Sequence, residues 1–221
     1  MNLKPGMVLV VFDLDGTISR RDTFVPFVFG FLQRHPWRLP RLLLVLPALL
    51  VYVLGLSNRG ALKGALLHYA MGGVNRTVVD RWSTRHALRV VDKGLHQDAV
   101  AAINSHLKNG HYLVLMSASI DCYVQRISVA LGFHETICTT VVWNRNNTLN
   151  GRLQGSNIRG DKKAQQFQQL VGRLNPRESL AYGNSPADLE HMLLATRGVY
   201  VNGDPGKLPG NDRRIRVVHW R

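Results

Sequence analysis

The stretch "VVFDLDGT", residues 10–17, decides how this chain is read. Val10, Val11 and Phe12 run straight into Asp13 and Asp15, which are separated by Leu14 and followed by Gly16 and Thr17. A short β-branched run that stops at a glycine turn predicts a buried strand over Val8–Phe12. Two carboxylates at its end repel one another and are costly to bury. A hard cation between them offsets that repulsion, and magnesium prefers oxygen ligands from a few carboxylates plus phosphate.

Further short apolar runs repeat the pattern: "YLVLM" at 112–116, "ICTTVVW" at 137–143, "SLAYG" at 179–183, "GVYV" at 198–201, and "RVVHW" at 216–220 as a sixth candidate. Helical spacing lies between them. Val100, Ile103 and Leu107 share one face, as do Val124, Ile127 and Leu131, and Phe167, Leu170, Val171 and Leu174. Strands alternating with helices predict an α/β fold, a Rossmann-like, mainly parallel sheet with helices on both sides. The turn formers "NRNNTLNG", 144–151, predict a β-hairpin.

The stretch from Thr23 to Leu95 does not alternate. It is expected to be helical, broken at Pro36, Pro40, Pro47, Gly55 and Gly72-Gly73. The expected organisation is a discontinuous core, 1–22 and 96–221, with a helical cap over 23–95 as a candidate for membrane association.

Composition narrows the partners. Lys plus Arg number 28 against 14 Asp plus Glu, a formal net charge of +14. Such a surface attracts anionic lipid, phosphorylated substrates or nucleic acid, but no nucleic-acid-binding motif is present, so no nucleic acid is expected. From Thr23 to Val79 there is no acidic residue, while Arg34, Arg38, Arg41, Arg59, Lys63 and Arg76 are present. Two cysteines give no disulfide framework. The first apolar run is too short for a signal peptide, so the expected location is cytoplasmic, with peripheral attachment to the cytosolic face of the inner membrane as an extension. "LLLVLPALLVYVLGL", 42–56, is shorter than the roughly 20 apolar residues of a membrane span. It reads either as a buried cap helix or as an interfacial segment approached through Trp37, Arg38 and Arg41.

Functional groups in open α/β sheets gather past the carboxyl ends of strands. Here these are Asp13 and Asp15, then Ser117, then Asn184 and Asp188, with Lys162 and Lys163 opening a helix. Singly, each has a bland reading: a turn, a helix cap, a solvated lysine. Together and in this order they resemble a family. "FDLDGT", "VLMSAS", the lysine of "GRLQGSNIRGDKK" and "YGNSPADL" are similar to the motifs of the haloacid dehalogenase superfamily. The order, spacing and helical insertion resemble its phosphoserine-phosphatase-like branch, subfamily IB.

That resemblance implies a Mg2+-dependent phosphomonoesterase acting through an aspartyl-phosphate intermediate. Asp13 would be the nucleophile and Asp15 the general acid and base. Ser117 and the backbone at Ala118 would hold phosphoryl oxygens, and Lys162 or Lys163 would neutralise charge. The metal set would be Asp13, the Asp15 main-chain oxygen, Asn184 and Asp188. Asn184 stands where the family usually has an aspartate, which implies weaker metal binding or a rearranged role for Asp188. The cap positions that would read the substrate fall near Asp22 and Lys63; Asp22 reads equally as a helix cap. The expected substrate is a phospholipid phosphomonoester such as phosphatidylglycerophosphate. The alternatives are a small soluble phosphoester (phosphoserine or histidinol phosphate) and a non-catalytic basic anion-binding module.

Overall fold

The computed structural model describes residues 6–208 and 213–221; residues 1–5 of the expected core, and 209–212, lie outside the described residues. Strands β1 (Val8–Phe12), β2 (Tyr112–Ile120), β3 (Glu135–Trp143), β4 (Leu149–Gln154), β5 (Glu178–Gly183), β6 (Arg197–Val201) and β7 (Ile215–Val218) form one sheet in the order β4-β3-β2-β1-β5-β6-β7. Neighbours pair in parallel, except that β3 and β4 form the antiparallel hairpin expected over 144–151.

All five residues of β1 are buried, as a central strand covered on both faces requires. Successive side chains point to opposite faces. Val10 and Phe12 pack with Phe27, Leu67, Trp82 and Tyr123, while Leu9 and Val11 pack with Phe167, Leu170 and Met192. The latter residues come from α7 (Asp161–Leu174) and α8 (Pro186–Met192), which cover one face. The other face is covered partly by α5 (Gln97–Lys108) and α6 (Asp121–Ala130), and partly by the helices that follow β1.

Those helices are α1 (Phe24–Arg34), a 3-10 segment Pro36–Val45, α2 (Leu46–Val53), α3 (Arg59–Met71) and α4 (Arg76–Lys93). Three expected breaks behave differently. Pro36 opens the 3-10 segment, Pro40 sits inside it, and Pro47 falls in the first turn of α2. Proline lacks an amide proton, which costs nothing in a helix's first turn. Gly55 and Gly72-Gly73 do interrupt, with Gly55 and Gly73 at positive φ.

The insertion is seated on the hairpin. The Gly73 amide donates to the Leu149 carbonyl and the Leu149 amide to Val74, each at 2.8 Å. A Cβ on Gly151 would fall 2.2 Å from the His68 Cα, so glycine lets β4 lie directly against α3. One continuous apolar cluster links Phe12, Phe27, Leu67, Tyr123 and Leu149.

The run 42–56 overturns the buried-helix expectation. No residue of α2 is buried, and Pro36–Val53, the one segment long and apolar enough by length and composition to cross a membrane among the described residues, is 6% buried. Trp37, Leu43, Leu50, Val53, Leu54 and Leu56 are all exposed. Leu42 packs on the core and Val45 is buried, so the segment lies along the protein with one side out.

Candidate active site

β1 is flanked by β2 on one side and β5 on the other. The chain reverses its winding direction there, and the crevice at the carboxyl ends is where ligands bind in such sheets. Asp13 leaves β1 at that point, its amide donating to the Tyr182 carbonyl of β5 at 3.0 Å.

Asp13 is 5% exposed. Its Oδ1 accepts from Lys163 Nζ at 2.5 Å and its Oδ2 from the Thr17 hydroxyl at 3.0 Å. Lys163 also donates to Asp188 Oδ1 at 2.6 Å, so one buried ammonium serves two buried carboxylates. Burial pushes the Asp13 carboxyl up to about 7 against the pull of Lys163, with Asp188 and Asp15 adding like charge. Burial opposes ionisation of Asp188 too, but Lys163, the neighbouring His191 and the Ser185 hydroxyl hold it well below the usual range. Burial disfavours the charge on Lys163, yet the two aspartates keep it above the ordinary lysine value. With one ammonium shared between two buried carboxylates, Asp13 is the group that gains from a second cation.

The two lysines separate clearly. Lys163 is buried in the first turn of α7 and points to Asp13. Lys162 is exposed and donates to Gln165, which corrects the reading that left either open.

Asp15 is held by three donors. Its Oδ1 accepts from the Thr23 amide at 2.7 Å and the Thr23 hydroxyl at 2.6 Å, and its Oδ2 from the Ser119 hydroxyl at 2.6 Å. Thr23 Oγ1 also lies 3.0 Å from the buried Tyr123 hydroxyl. This fixes the carboxylate at the mouth formed by β1, α1 and β2.

The "SAS" segment does not end the strand as expected. β2 continues to Ile120, with a register shift against β3 between Ser117 and Ile120. Such a bulge re-aims side chains near functional sites. Ser117 is fully buried and its Oγ accepts from the Ser119 amide at 3.0 Å. The Ala118 carbonyl accepts from Lys63 Nζ at 2.6 Å and from the Thr139 hydroxyl at 2.8 Å.

Gly16 and Asn184 meet closely. Gly16 has φ +84°, and a Cβ there would fall 2.1 Å from Asn184 Nδ2. Asn184 Oδ1 lies 3.4 Å from the Thr17 hydroxyl, which donates to Asp13. Thr17 thus brings the Asp13 carboxylate and the Asn184 amide oxygen together, two oxygen donors of the type a hard cation takes. Magnesium fits that chemistry.

Asp188 does not. Its Oδ1 is taken by Lys163, and its Oδ2 accepts from the Ser185 hydroxyl at 2.7 Å and the Ser185 amide at 3.1 Å. It anchors the lysine and the start of α8 rather than offering a free oxygen. Consistently, no group of three or more His, Cys, Asp or Glu among the described residues could hold a metal ion.

Of the two insertion residues, Asp22 follows its helix-cap reading and Lys63 is engaged within the chain. Asp22 is exposed and its Oδ1 accepts from the Val25 amide at 2.7 Å, so it caps α1. Lys63 spends its ammonium on Ala118 and, at 3.4 Å, on Asn157. Burial lowers its pKa, although Asp15 and Asp22 act in the other direction. Thr17, Thr23, Ser119 and Asn157 were not singled out from the sequence. Thr17, Ser119 and Asn157 lie inside the quoted motifs, whereas nothing local marks Thr23.

Residues 10–193 match the haloacid dehalogenase-like hydrolases. Over 198 residues the chain is 29% identical to protein CicA of Caulobacter vibrioides, covering 87% of this chain and 85% of that protein. A protein with unknown function from Bordetella pertussis Tohama I superposes with a TM-score of 0.79 at 21% identity, covering 96% of this chain and 98% of that one. A phosphoserine phosphatase carrying a phospho-aspartyl intermediate analogue superposes with a TM-score of 0.66 at 14% identity, covering 96% and 92%. The fold is the one seen in those phosphatases, and the chain belongs to the haloacid dehalogenase-like hydrolases.

Proposed function

We propose that this protein is a magnesium-dependent phosphomonoesterase that acts through an aspartyl phosphate. The observation that carries this reading is the buried Lys163 bridging Asp13 and Asp188. A buried carboxylate held against one ammonium is an oxygen nucleophile whose charge is balanced before substrate arrives. In the first step an Asp13 oxygen attacks phosphorus and the ester oxygen leaves, taking a proton from Asp15. In the second, Asp15 takes a proton from water, the water oxygen attacks phosphorus, and Asp13 is released with phosphate. Lys163 holds Asp13 through both steps. Thr23 and Ser119 keep the Asp15 carboxylate aimed. Magnesium, held by Asp13, the Asp15 main-chain oxygen and Asn184, would supply positive charge for the phosphoryl oxygens. Residues 23–95 serve as the cap over a core of 1–22 and 96–221.

The proposed substrate is a phospholipid phosphomonoester such as phosphatidylglycerophosphate, met at an anionic membrane surface. The exposed apolar face of 37–56 supports this, because monomeric proteins rarely leave so much contiguous apolar surface in water. Arg38 donates to the Ala70 and Gly72 carbonyls at 3.3 and 3.1 Å. That tie at the end of α3 favours a segment lying in the interface over one crossing it. The small soluble phosphoester remains the second reading, since Lys63 reaches the site.

The test is release of phosphate from an aryl phosphate with magnesium and after chelation, then from phosphatidylglycerophosphate in mixed micelles beside phosphoserine. Metal-dependent turnover that Asp13→Asn abolishes is expected, with the lipid preferred. Turnover indifferent to chelator would overturn the mechanism, and a preference for phosphoserine would overturn the lipid assignment.

A further inference from the structure

Beside the Asp13 site lies a cleft of about 1160 Å³ between α3 and the loop that joins β4 to α7. Arg59, His68, Arg152, Asn157, Arg159 and Lys162 are among the residues that line it. Its basic side chains have no acidic partners: among the described residues, none of Arg59, Arg152, Arg159 and Lys162 forms a salt bridge. Asp161 is the one acidic residue in the lining and lies near Glu190, whose pKa burial and the Asp161 charge both raise. Lys63, deeper in, is attracted by Asp15 and Asp22 on the catalytic side and repelled by Arg159 and Lys163. Positive charge free of ion pairs thus gathers in the cleft itself.

The cleft borders the Asp13 site at one end, where its lining residue Asn157 accepts from Lys63, the same lysine that donates to Ala118. At the far end Arg59 Nε donates to the Tyr52 hydroxyl of α2 at 3.1 Å. The volume exceeds that needed by a single phosphate, since pockets of roughly 300–1,000 Å³ take drug-sized ligands.

We infer that this cleft is a second anion subsite, which holds a phosphodiester or other second phosphate group carried by the same substrate molecule as the scissile phosphomonoester. Arginine suits this role because its planar fork matches phosphate oxygens in pairs. The inference rests on the phosphomonoesterase reading of Asp13 and specifies its substrate class: a molecule with two phosphate groups, one on each side of a short linker. The second phosphate could belong to a glycerophospholipid backbone or to a soluble bisphosphate.

The experiment compares kcat/KM for glycerol 3-phosphate, glycerol 1,3-bisphosphate and glycerophosphoglycerol phosphate, all soluble and free of acyl chains, with an aryl phosphate as control. The expected result is a preference for the two-phosphate substrates over glycerol 3-phosphate that weakens with salt. In the Arg152→Gln/Arg159→Gln double variant that preference falls by about tenfold or more, the scale of one hydrogen bond to a charged group. A preference confined to the diester-bearing substrate identifies the lipid-type backbone, and one shared by the bisphosphate identifies a general second phosphate. Equal kcat/KM for all three in the wild type, with the aryl phosphate turned over, overturns the subsite and leaves the phosphatase reading standing. No turnover of the aryl phosphate overturns that reading instead. Titration calorimetry with glycerophosphoglycerol, which lacks the monoester, then decides the subsite: saturable binding lost in Arg152→Gln supports it, and no binding to the wild type overturns it.

Discussion

Lys63 Nζ donates to the main-chain oxygen of Ala118 at 2.6 Å, and so ties α3 of the insertion to the end of β2. The same ammonium stands 5.1 Å over the Phe24 ring of α1. A single side chain therefore couples two insertion helices to the strand end where phosphate is expected. Lys63→Met keeps the aliphatic stem and removes the charge. It is expected to lose about 1.5–3 kcal/mol at most, the range for a hydrogen bond from a charged donor. Urea unfolding reads the loss, and aryl phosphate turnover should fall with it. Full stability together with full activity would show that the tie is incidental.

The neighbouring lysines of α7 offer a sharper contrast. Lys163→Met leaves Asp13 and Asp188 buried without their shared cation. Removing one partner of a buried ion pair costs about 3–5 kcal/mol, so the variant should unfold at markedly lower urea and lose activity. Lys162→Met changes an exposed residue that touches Gln165 and should stay within about 0.5 kcal/mol of the parent. Equal effects from the two would contradict the assignment of Lys163.

Much of this arrangement is legible in the chain because each element is locally marked. An all-apolar run ending in Asp13, a helix opening on two lysines and a turn at Asn184 are short-range signals. What the sequence hides is set by distant contacts. Which lysine faces inward depends on the rotation of α7, fixed by Phe167 and Leu170 against β1. Asp188 reads as a ligand until Lys163 and Ser185 take both its oxygens. Thr23 and Asn157 gain their roles only when α1 and the β4–α7 loop fold onto β2. The 42–56 run has the composition of a core helix, and nothing in its periodicity says that its outer side meets no partner within the chain.

Asp15→Asn should lower kcat with an intact fold. General acid–base groups contribute about 10²–10⁴-fold, and the amide still accepts from Thr23. Chromogenic turnover beside circular dichroism checks this. A loss below roughly tenfold would remove Asp15 from proton transfer.

His86 is buried among Phe27, Trp82 and Tyr123, and burial lowers its pKa to about 4. The unfolded chain takes up a proton near pH 6.5, while the folded one resists until about pH 4. Between those values the unfolded state binds more protons, so stability falls as pH falls. The contribution is at most about 3 kcal/mol. His86→Phe should flatten part of the slope of unfolding free energy between about pH 6.5 and 4. An unchanged slope would assign the acid sensitivity to other groups, such as His106, whose pKa burial also lowers to about 4.

The outer face of 37–56 should bind membranes mainly through its apolar side chains. The basic residues of the insertion are less available for headgroups than their number suggests. Arg38 is held by the end of α3, Arg34 lies over Trp82, Arg76 over Trp143, Arg59 meets Tyr52, and Lys63 turns to Ala118. Arg41 is exposed and, at about 1 kcal/mol for a basic residue near an anionic surface, supplies little alone. Leu43, Leu50, Val53, Leu54 and Leu56 are each more than half exposed. Fully burying an aliphatic side chain contributes about 1.5–3 kcal/mol, so even partial insertion of these five outweighs Arg41. Co-sedimentation with vesicles should therefore show strong binding that salt weakens only in part. Leu43→Ser/Leu50→Ser/Val53→Ser should release the protein to the supernatant, whereas Arg41→Glu should weaken binding by about tenfold. Arg38→Glu is a poor probe, because it would also break the tie to Ala70 and Gly72. Wild-type protein that remains in the supernatant with anionic vesicles at low salt would rule out the membrane-facing role of this segment and favour the soluble phosphoester.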